Sequence, residues 1–292
     1  MTDFIDELTT ATLKYPFLVH GKNILGQMEK LKNGSLSQTQ KQQLSGLEKI
    51  IMEYRNYFDV NKIKGNEKNI IKKRVDALNA YYNFLHRQNF DNLFSAQTKF
   101  RPTILEEFMA ILFRDMIDEV RKKNPESNLD LGSVKAYANL YFYGKDFLTF
   151  VKEPTIGLNQ KDQDFAIYRN VKIRMDDHKP VSTSLPIVAV ECKTFIDKTM
   201  LEGSVATAEK IKVGNPYAFF CLVSECYDVS MTVDPAYSRI DQIYILRKST
   251  RRAAWKDIDY DVVASFVKDV KEHLSRPWSD IAQKLADTGR LI

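Results

Sequence analysis

Residues 186–193 read Pro186-Ile187-Val188-Ala189-Val190-Glu191-Cys192-Lys193. A short Val- and Ile-rich run opened by proline has the make-up of a buried strand. Strand side chains alternate, so Glu191 and Lys193 share one face. Burying two charges costs several kcal/mol unless they are paired or bind a metal. Whatever fold this chain adopts must therefore give that carboxylate and that amine a use, or at least pair them as a structural ion pair at a strand end.

A second acidic residue stands ahead of another apolar run. Asp164 precedes Phe165-Ala166-Ile167-Tyr168, and the following stretch up to Pro186 is rich in turn formers and charge, including Asn170, Asp176, Asp177, Pro180, Ser182 and Ser184. The pattern predicts an antiparallel partner strand joined to the first by a loose hairpin loop. Pairing the two strands sets Asp164 beside Glu191. An Asp and a Glu on neighbouring strand ends, with a lysine one pleat further, suit a hard divalent cation such as Mg²⁺, which takes oxygen ligands and keeps several waters. Such a metal polarises a phosphate and activates water, while the lysine orients or deprotonates that water. Glu-x-Lys occurs once in the chain. Asp-x-Lys occurs at Asp177–Lys179, in the expected loop, and at Asp269–Lys271, in an amphipathic helix, so neither ends a buried strand.

Other features narrow the class. A chain of 292 residues holds one or two domains. No apolar stretch approaches the roughly 18 residues of a membrane span, and Asp3, Asp6 and Glu7 interrupt any signal-peptide core. Cys192, Cys221 and Cys226 are odd in number and lie on or beside expected strands, which fits buried thiols in a reducing cytoplasm. His20, His86, His178 and His273 are scattered, with no zinc-ligand or Ser-His spacing.

Two regions are expected, 1–98 and 99–292. The first reads as helical: Leu44, Leu47, Ile50, Ile51, Tyr54 and Phe58 recur at helical spacing after Asn33-Gly34-Ser35, and Ile70, Ile71, Val75, Leu78, Tyr81, Tyr82 and Leu85 form a second such face. Tyr54, Tyr57, Tyr81 and Tyr82 fit a core at this spacing better than a base-stacking platform. The chain carries a net charge of +5, and its excess of about +6 lies in the first 101 residues. Lys64, Asn66, Lys68, Lys72, Lys73 and Arg74 are the candidate DNA contacts, with lysine and arginine placed for phosphates and Asn66 for base edges. The alternative is a solvated helix face. A second basic group, Arg247, Lys248, Arg251, Arg252 and Lys256, has the same two readings.

From Arg101 the pattern becomes α/β. Thr103 to Glu106 has the spacing of a helix capping box, and Leu105, Phe108, Met109, Leu112 and Met116 mark the core face. Glu106 then flanks that face and Glu107 points nearly away from it. Thr199 to Glu202 again has capping-box spacing and opens a helix to about Lys212, stopped by Asn215-Pro216. Strands follow at 217–223 and 240–246, and an amphipathic helix at 261–274 with Val262, Phe266, Val270 and Leu274 or His273 inward. Strand, helix, strand at this spacing predicts a right-handed crossover between parallel strands. The expected fold class is α/β, a mixed central sheet flanked by helices with a helical region before it.

Asp164 followed by Glu191-Cys192-Lys193 resembles the PD-(D/E)xK nuclease superfamily, with Gln163 where the proline of the first half-motif usually stands. The run Glu191 to Met200, then Asn215-Pro216 and Val223-Ser224-Glu225, together with Thr103-Ile104-Leu105-Glu106-Glu107-Phe108, is similar to type II restriction endonucleases of the BbvCI and DdeI kind over roughly residues 100–250. The resemblance implies Mg²⁺-dependent cleavage of double-stranded DNA at a short CTNAG-like site in a prokaryotic cytoplasm. It implies a metal held by Asp164, Glu191 and the backbone carbonyl of Cys192, with Lys193 positioning the attacking water. Enzymes of this superfamily often place a further acid on the helix before the sheet, which points to Glu106 as a metal or supporting group, with a plain helix cap as the other role. One such site cuts one strand, so a homodimer or a heterodimer with a related subunit is expected. A catalytically silent recognition subunit and a repair or junction nuclease are the competing readings.

Overall fold

The computed structural model describes residues 2–32, 36–174, 179–276 and 278–291. Asn33, Gly34 and Ser35, and also Asp176, Asp177 and His178, on which turn and loop expectations fell, lie outside the described residues. Four helices open the chain: α1 (Thr2–Lys14), α2 (Val19–Lys32), α3 (Gln38–Asn61) and α4 (Lys68–Arg87). Ser37 and Gln40 start α3 with a reciprocal capping box. Tyr54, Tyr57, Tyr81 and Tyr82 are all buried, with Tyr57 and Tyr81 stacked at 5.7 Å. They form core, not an exposed stacking platform.

Helix α5 (Pro102–Lys123) follows. Its amphipathic reading needs correction. Ile104, Leu105 and the whole of Phe108–Phe113 are buried, because α5 lies between the N-terminal helices and the sheet. A helix apolar all round is a central one. Glu107 consequently does not point to solvent. It is fully buried, and its carboxylate accepts from the His20 and Gly21 N–H groups and the Tyr54 hydroxyl at 2.8–3.0 Å. Burial raises the Glu107 carboxyl to about 7 despite these bonds. The Thr103–Glu106 capping box does not form either. Pro102 starts the helix without a side-chain cap, and Thr103 donates instead to the Phe100 carbonyl.

Five strands make one sheet in the order β1 (Leu129–Tyr143), β2 (Thr155–Ile173), β3 (Val181–Ile196), β4 (Phe219–Tyr227), β5 (Gln242–Ile245). The pairs β1–β2 and β2–β3 are antiparallel, whereas β3–β4 and β4–β5 are parallel. A short helix, α6 (Phe147–Lys152), caps the β1–β2 turn, and α7 (Lys198–Gly214) connects β3 to its parallel neighbour. Asp197, not Thr199, caps α7, accepting from Met200 N–H at 2.8 Å. The strands run further than the sequence pattern suggested, so Asp164 lies inside β2 and Lys193 inside β3 rather than at strand ends. Pro186 sits in the ladder at an irregularity, where Ile167 pairs with Val188 but Tyr168 pairs with Pro186. A proline inside a sheet is tolerated at such a bulge.

Alternation divides the core. Phe165, Ile167, Val188, Val190, Cys192 and Val223 join the N-terminal helices, α5 and α8 (Tyr260–Ser275) in one continuous cluster. Ala189, Phe220 and Leu222 face α7 in a smaller one. The change at residue 98–99 thus marks a change of element type within one core. A last helix, α9 (Ile281–Thr288), closes the described chain. No helix among the described residues is long and apolar enough to cross a membrane.

Candidate active site

The antiparallel register of β2 and β3 builds the site. Phe165 pairs with Val190, and one step further along the ladder sets Asp164 against Glu191. The Lys193 ammonium lies between the two carboxylates, 3.3 Å from Glu191 Oε2 and 3.8 Å from Asp164 Oδ2. Each acid spends one oxygen on the protein. Asp164 Oδ2 accepts from Cys192 N–H at 2.8 Å, and Glu191 Oε2 accepts from the Ser204 hydroxyl of α7 at 2.6 Å. Neither Asp164 Oδ1 nor Glu191 Oε1 has a hydrogen-bond partner among the described residues.

The charges shape one another. Burial raises the Asp164 carboxyl above its ordinary value, opposed by Lys193 and by the Cys192 N–H, with Glu191 adding to the rise. Burial alone would lower the Lys193 ammonium, but Glu191 and Asp164 outweigh it and hold its proton more firmly than usual. Glu106, on the first turns of α5, is close enough for burial and the Asp164 charge to raise its carboxyl to about 7. No group of three or more His, Cys, Asp or Glu side chains encloses a metal site among the described residues. Glu106 is thus the near neighbour of a two-carboxylate pair and does not close a three-acid cage. Lys99 adds positive charge opposite Glu106 and Asp164.

The candidate DNA contacts separate. Lys64, Lys68, Lys72 and Lys73 are exposed. Arg74 is not available: it is fully buried, bonded to Asp115 Oδ2 at 3.0 Å and to the Ile63 and Ile111 carbonyls. The Asn66 amide is engaged as well, donating to Leu112 O and accepting from Met116 N–H of α5. This basic run lies at the start of α4. The other end of that helix, about 30 Å away for 20 residues, is the one beside Trp255, where His86 stacks on the indole at 4.1 Å. The second basic group lies nearer the carboxylates. Within it Arg247 is structural, buried on Glu225 Oε2 at 2.7 Å, with Arg101 on the same oxygen at 2.8 Å. These two arginines outweigh burial and hold the Glu225 carboxyl below its usual value. Lys248 pairs with Asp259. Arg251 is exposed, its guanidinium 3.9 Å over the ring of Phe195. Phe195 lies two residues beyond Lys193, on the same side of β3. Arg251 has no carboxylate partner among the described residues. Ser204 and the Glu225 clamp were not singled out as functional in the sequence, because a serine inside a helix and a glutamate after a strand carry no signal of their partners.

The family model for the Bpu10I restriction endonuclease matches residues 97–283, which span α5, the entire sheet, α7 and α8. The chain belongs to the Bpu10I restriction endonuclease family. Family membership carries nuclease activity with it. Among solved structures the chain is similar to the one described as the native BbvCI A2B2 tetramer at low resolution, with a TM-score of 0.63 and 18% identity over 89% of this chain and 96% of that one. That likeness shows a shared fold reaching into the N-terminal helices. No curated protein matches the chain.

Proposed function

We propose that this member of the Bpu10I restriction endonuclease family hydrolyses phosphodiester bonds of duplex DNA at a short specific sequence, using Asp164, Glu191 and Lys193 with Mg²⁺. The observation that carries the reading is the pairing of two acids around one lysine, each acid keeping an unengaged oxygen on neighbouring strands. That donor set fits a hard divalent ion, which commonly takes one or two carboxylates and completes its shell with water and substrate phosphate. Asp164, Glu191 and the Cys192 carbonyl would hold the ion, which when bound supplies Lewis acidity to the phosphate and lowers the pKa of its water. The chain's own groups do the remaining work. The Ser204 hydroxyl and Cys192 N–H fix the two carboxylates. The protonated Lys193 stands between them, placed to orient the attacking water and to neutralise charge at the phosphate. Glu106 tunes the field at Asp164. Arg251 contacts backbone phosphate beside the site, and the exposed lysines of α4 lie too far off for the same duplex segment.

One site cuts one strand, so a double-strand break takes two copies or a related second subunit; the fold neighbour BbvCI is described as an A2B2 tetramer. The test is cleavage of duplex DNA by wild type and by Asp164→Ala, Glu191→Ala and Lys193→Ala in Mg²⁺. Each variant should lose cleavage at unchanged thermal stability, and Ca²⁺ in place of Mg²⁺ should support specific binding without cutting. Near wild-type single-turnover cleavage by Glu191→Ala would remove the proposed site.

A further inference from the structure

The β1–β2 hairpin continues as a two-stranded ribbon beyond the rest of the sheet. Asn139 to Tyr143 pair with Asn159 to Thr155, whereas β3 pairs with β2 only over Phe165–Ile173 and touches β1 only at Ala136–Ser184. Both outer edges of this ribbon are therefore without a third strand. The arm is ordered by its own contacts. Asn159 donates to Asn139 at 2.7 Å, Tyr141 lies so close over Gly157 that a Cβ there would collide with its ring, and Asp146 caps α6 through Thr149 N–H at 2.8 Å. α6 folds back so closely that a Cβ on Gly144 would strike the Phe150 backbone.

This built element buries almost none of its apolar surface. Tyr141, Phe142, Tyr143, Phe147, Leu148 and Val151, with Leu140 and Phe150, are between 37% and 78% exposed. Eight large side chains, each leaving about half of roughly 200 Å² in water, expose on the order of 800 Å². The largest apolar patch of an ordinary monomer is about 300–600 Å², and one side of a standard protein interface is about 800 Å².

We propose that this arm, residues 139–159, is the contact through which two copies of this chain associate. Charge favours a second copy over nucleic acid as the occupant. At the tip Lys145 and Lys152 are matched by Asp146 and Glu153, so two identical arms meet with no like-charge excess, whereas phosphate recognition needs a positive surface. The apolar area per copy equals one half of a stable interface, and a twofold contact presents the same patch from both sides. The ribbon's open edges add backbone pairing to side-chain burial. The inference goes beyond the cleavage reading and is tested without it.

The experiment is sedimentation equilibrium of the full chain, without DNA or metal, over a concentration series. Wild type should show twice the monomer mass. Phe142→Asp combined with Phe147→Asp should raise the dimer dissociation constant by roughly a hundredfold or more, since central aromatic anchors dominate such contacts. Because these side chains are exposed, the melting temperature should not move. Leu13→Asp with Val213→Asp, exposed apolar positions off the arm, should leave the dimer intact. Should the arm variant melt early, the milder Phe142→Ser and Phe147→Ser, each expected to weaken the dimer about tenfold, decide instead. A wild-type chain that stays monomeric, a dimer indifferent to the arm substitutions, or association only with an unlike subunit overturns the proposal.

Discussion

Ser204→Ala isolates the support beneath the carboxylates from the carboxylates themselves. Ser204 is 1% exposed and donates to Glu191 Oε2 at 2.6 Å. It reaches the site from α7, so the bond holds a strand side chain against a helix. A hydrogen bond to a charged group is worth about 1.5–3 kcal/mol. At 1.36 kcal/mol per decade that corresponds to roughly 10- to 100-fold in the occupied, correctly aligned site. Removing the hydroxyl leaves Glu191 charged but free to swing away from Asp164. Cleavage of a labelled duplex under single-turnover conditions, titrated with Mg²⁺, should show the half-saturating metal concentration raised by that factor. The maximal rate at saturating metal should fall much less, and binding to DNA in Ca²⁺ should weaken in parallel. A variant with wild-type metal dependence would refute the positioning role and leave Ser204 as a mere packing group.

Breaking the buried clamp by Glu225→Ala should destabilise the fold by about 3–5 kcal/mol, because it leaves Arg101 and Arg247 buried without their shared carboxylate; denaturant unfolding measures it, and an unchanged midpoint contradicts the pairing. Arg251→Ala should weaken binding to specific and scrambled duplexes alike and flatten the salt dependence by about one unit, while the Lys72→Ala and Lys73→Ala pair leaves that slope as it was. Glu106 is raised to about 7 from an ordinary 4.5. The folded state therefore binds more protons than the unfolded one in that window, and stability falls as pH rises through it. In a chelator, Glu106→Gln should reduce the fall of melting temperature between pH 4.5 and 7, with the remaining slope belonging to Glu107, also near 7. An unaltered slope would show that Glu106 is solvated.

The acidic pair and its lysine were legible because they rest on local rules. Alternation along Val190-Glu191-Cys192-Lys193 and a hairpin partner carrying Asp164 suffice to set three side chains together. The parallel β3–α7–β4 unit was legible for a similar reason, since an apolar run, a helical pattern stopped at Asn215-Pro216 and another apolar run follow in order. What escaped depends on distant neighbours. Helical periodicity identified one face of α5, but only the packing of α2 and α3 against its other side buries Glu107. A run of lysines and arginines does not tell which member is claimed by Asp115, 41 residues on, and Arg74 is that member. β1 gave no clear pattern, because its end is apolar on both faces, where alternation has nothing to report.

The site's dependence on register limits how this chain can vary in length. Asp164 reaches Glu191 only because β2 and β3 are in step from Ile173–Val181 to Phe165–Val190. A single-residue insertion or deletion between Asp164 and the bulge at Tyr168 would turn that acid to the opposite face. The same change between Ile173 and Val181 shifts neither ladder. Natural or engineered length variation should therefore collect in that connection and be purged from the strands, so that a library of one-residue deletions scored for cleavage would draw the boundary of the catalytic ladder directly on the sequence.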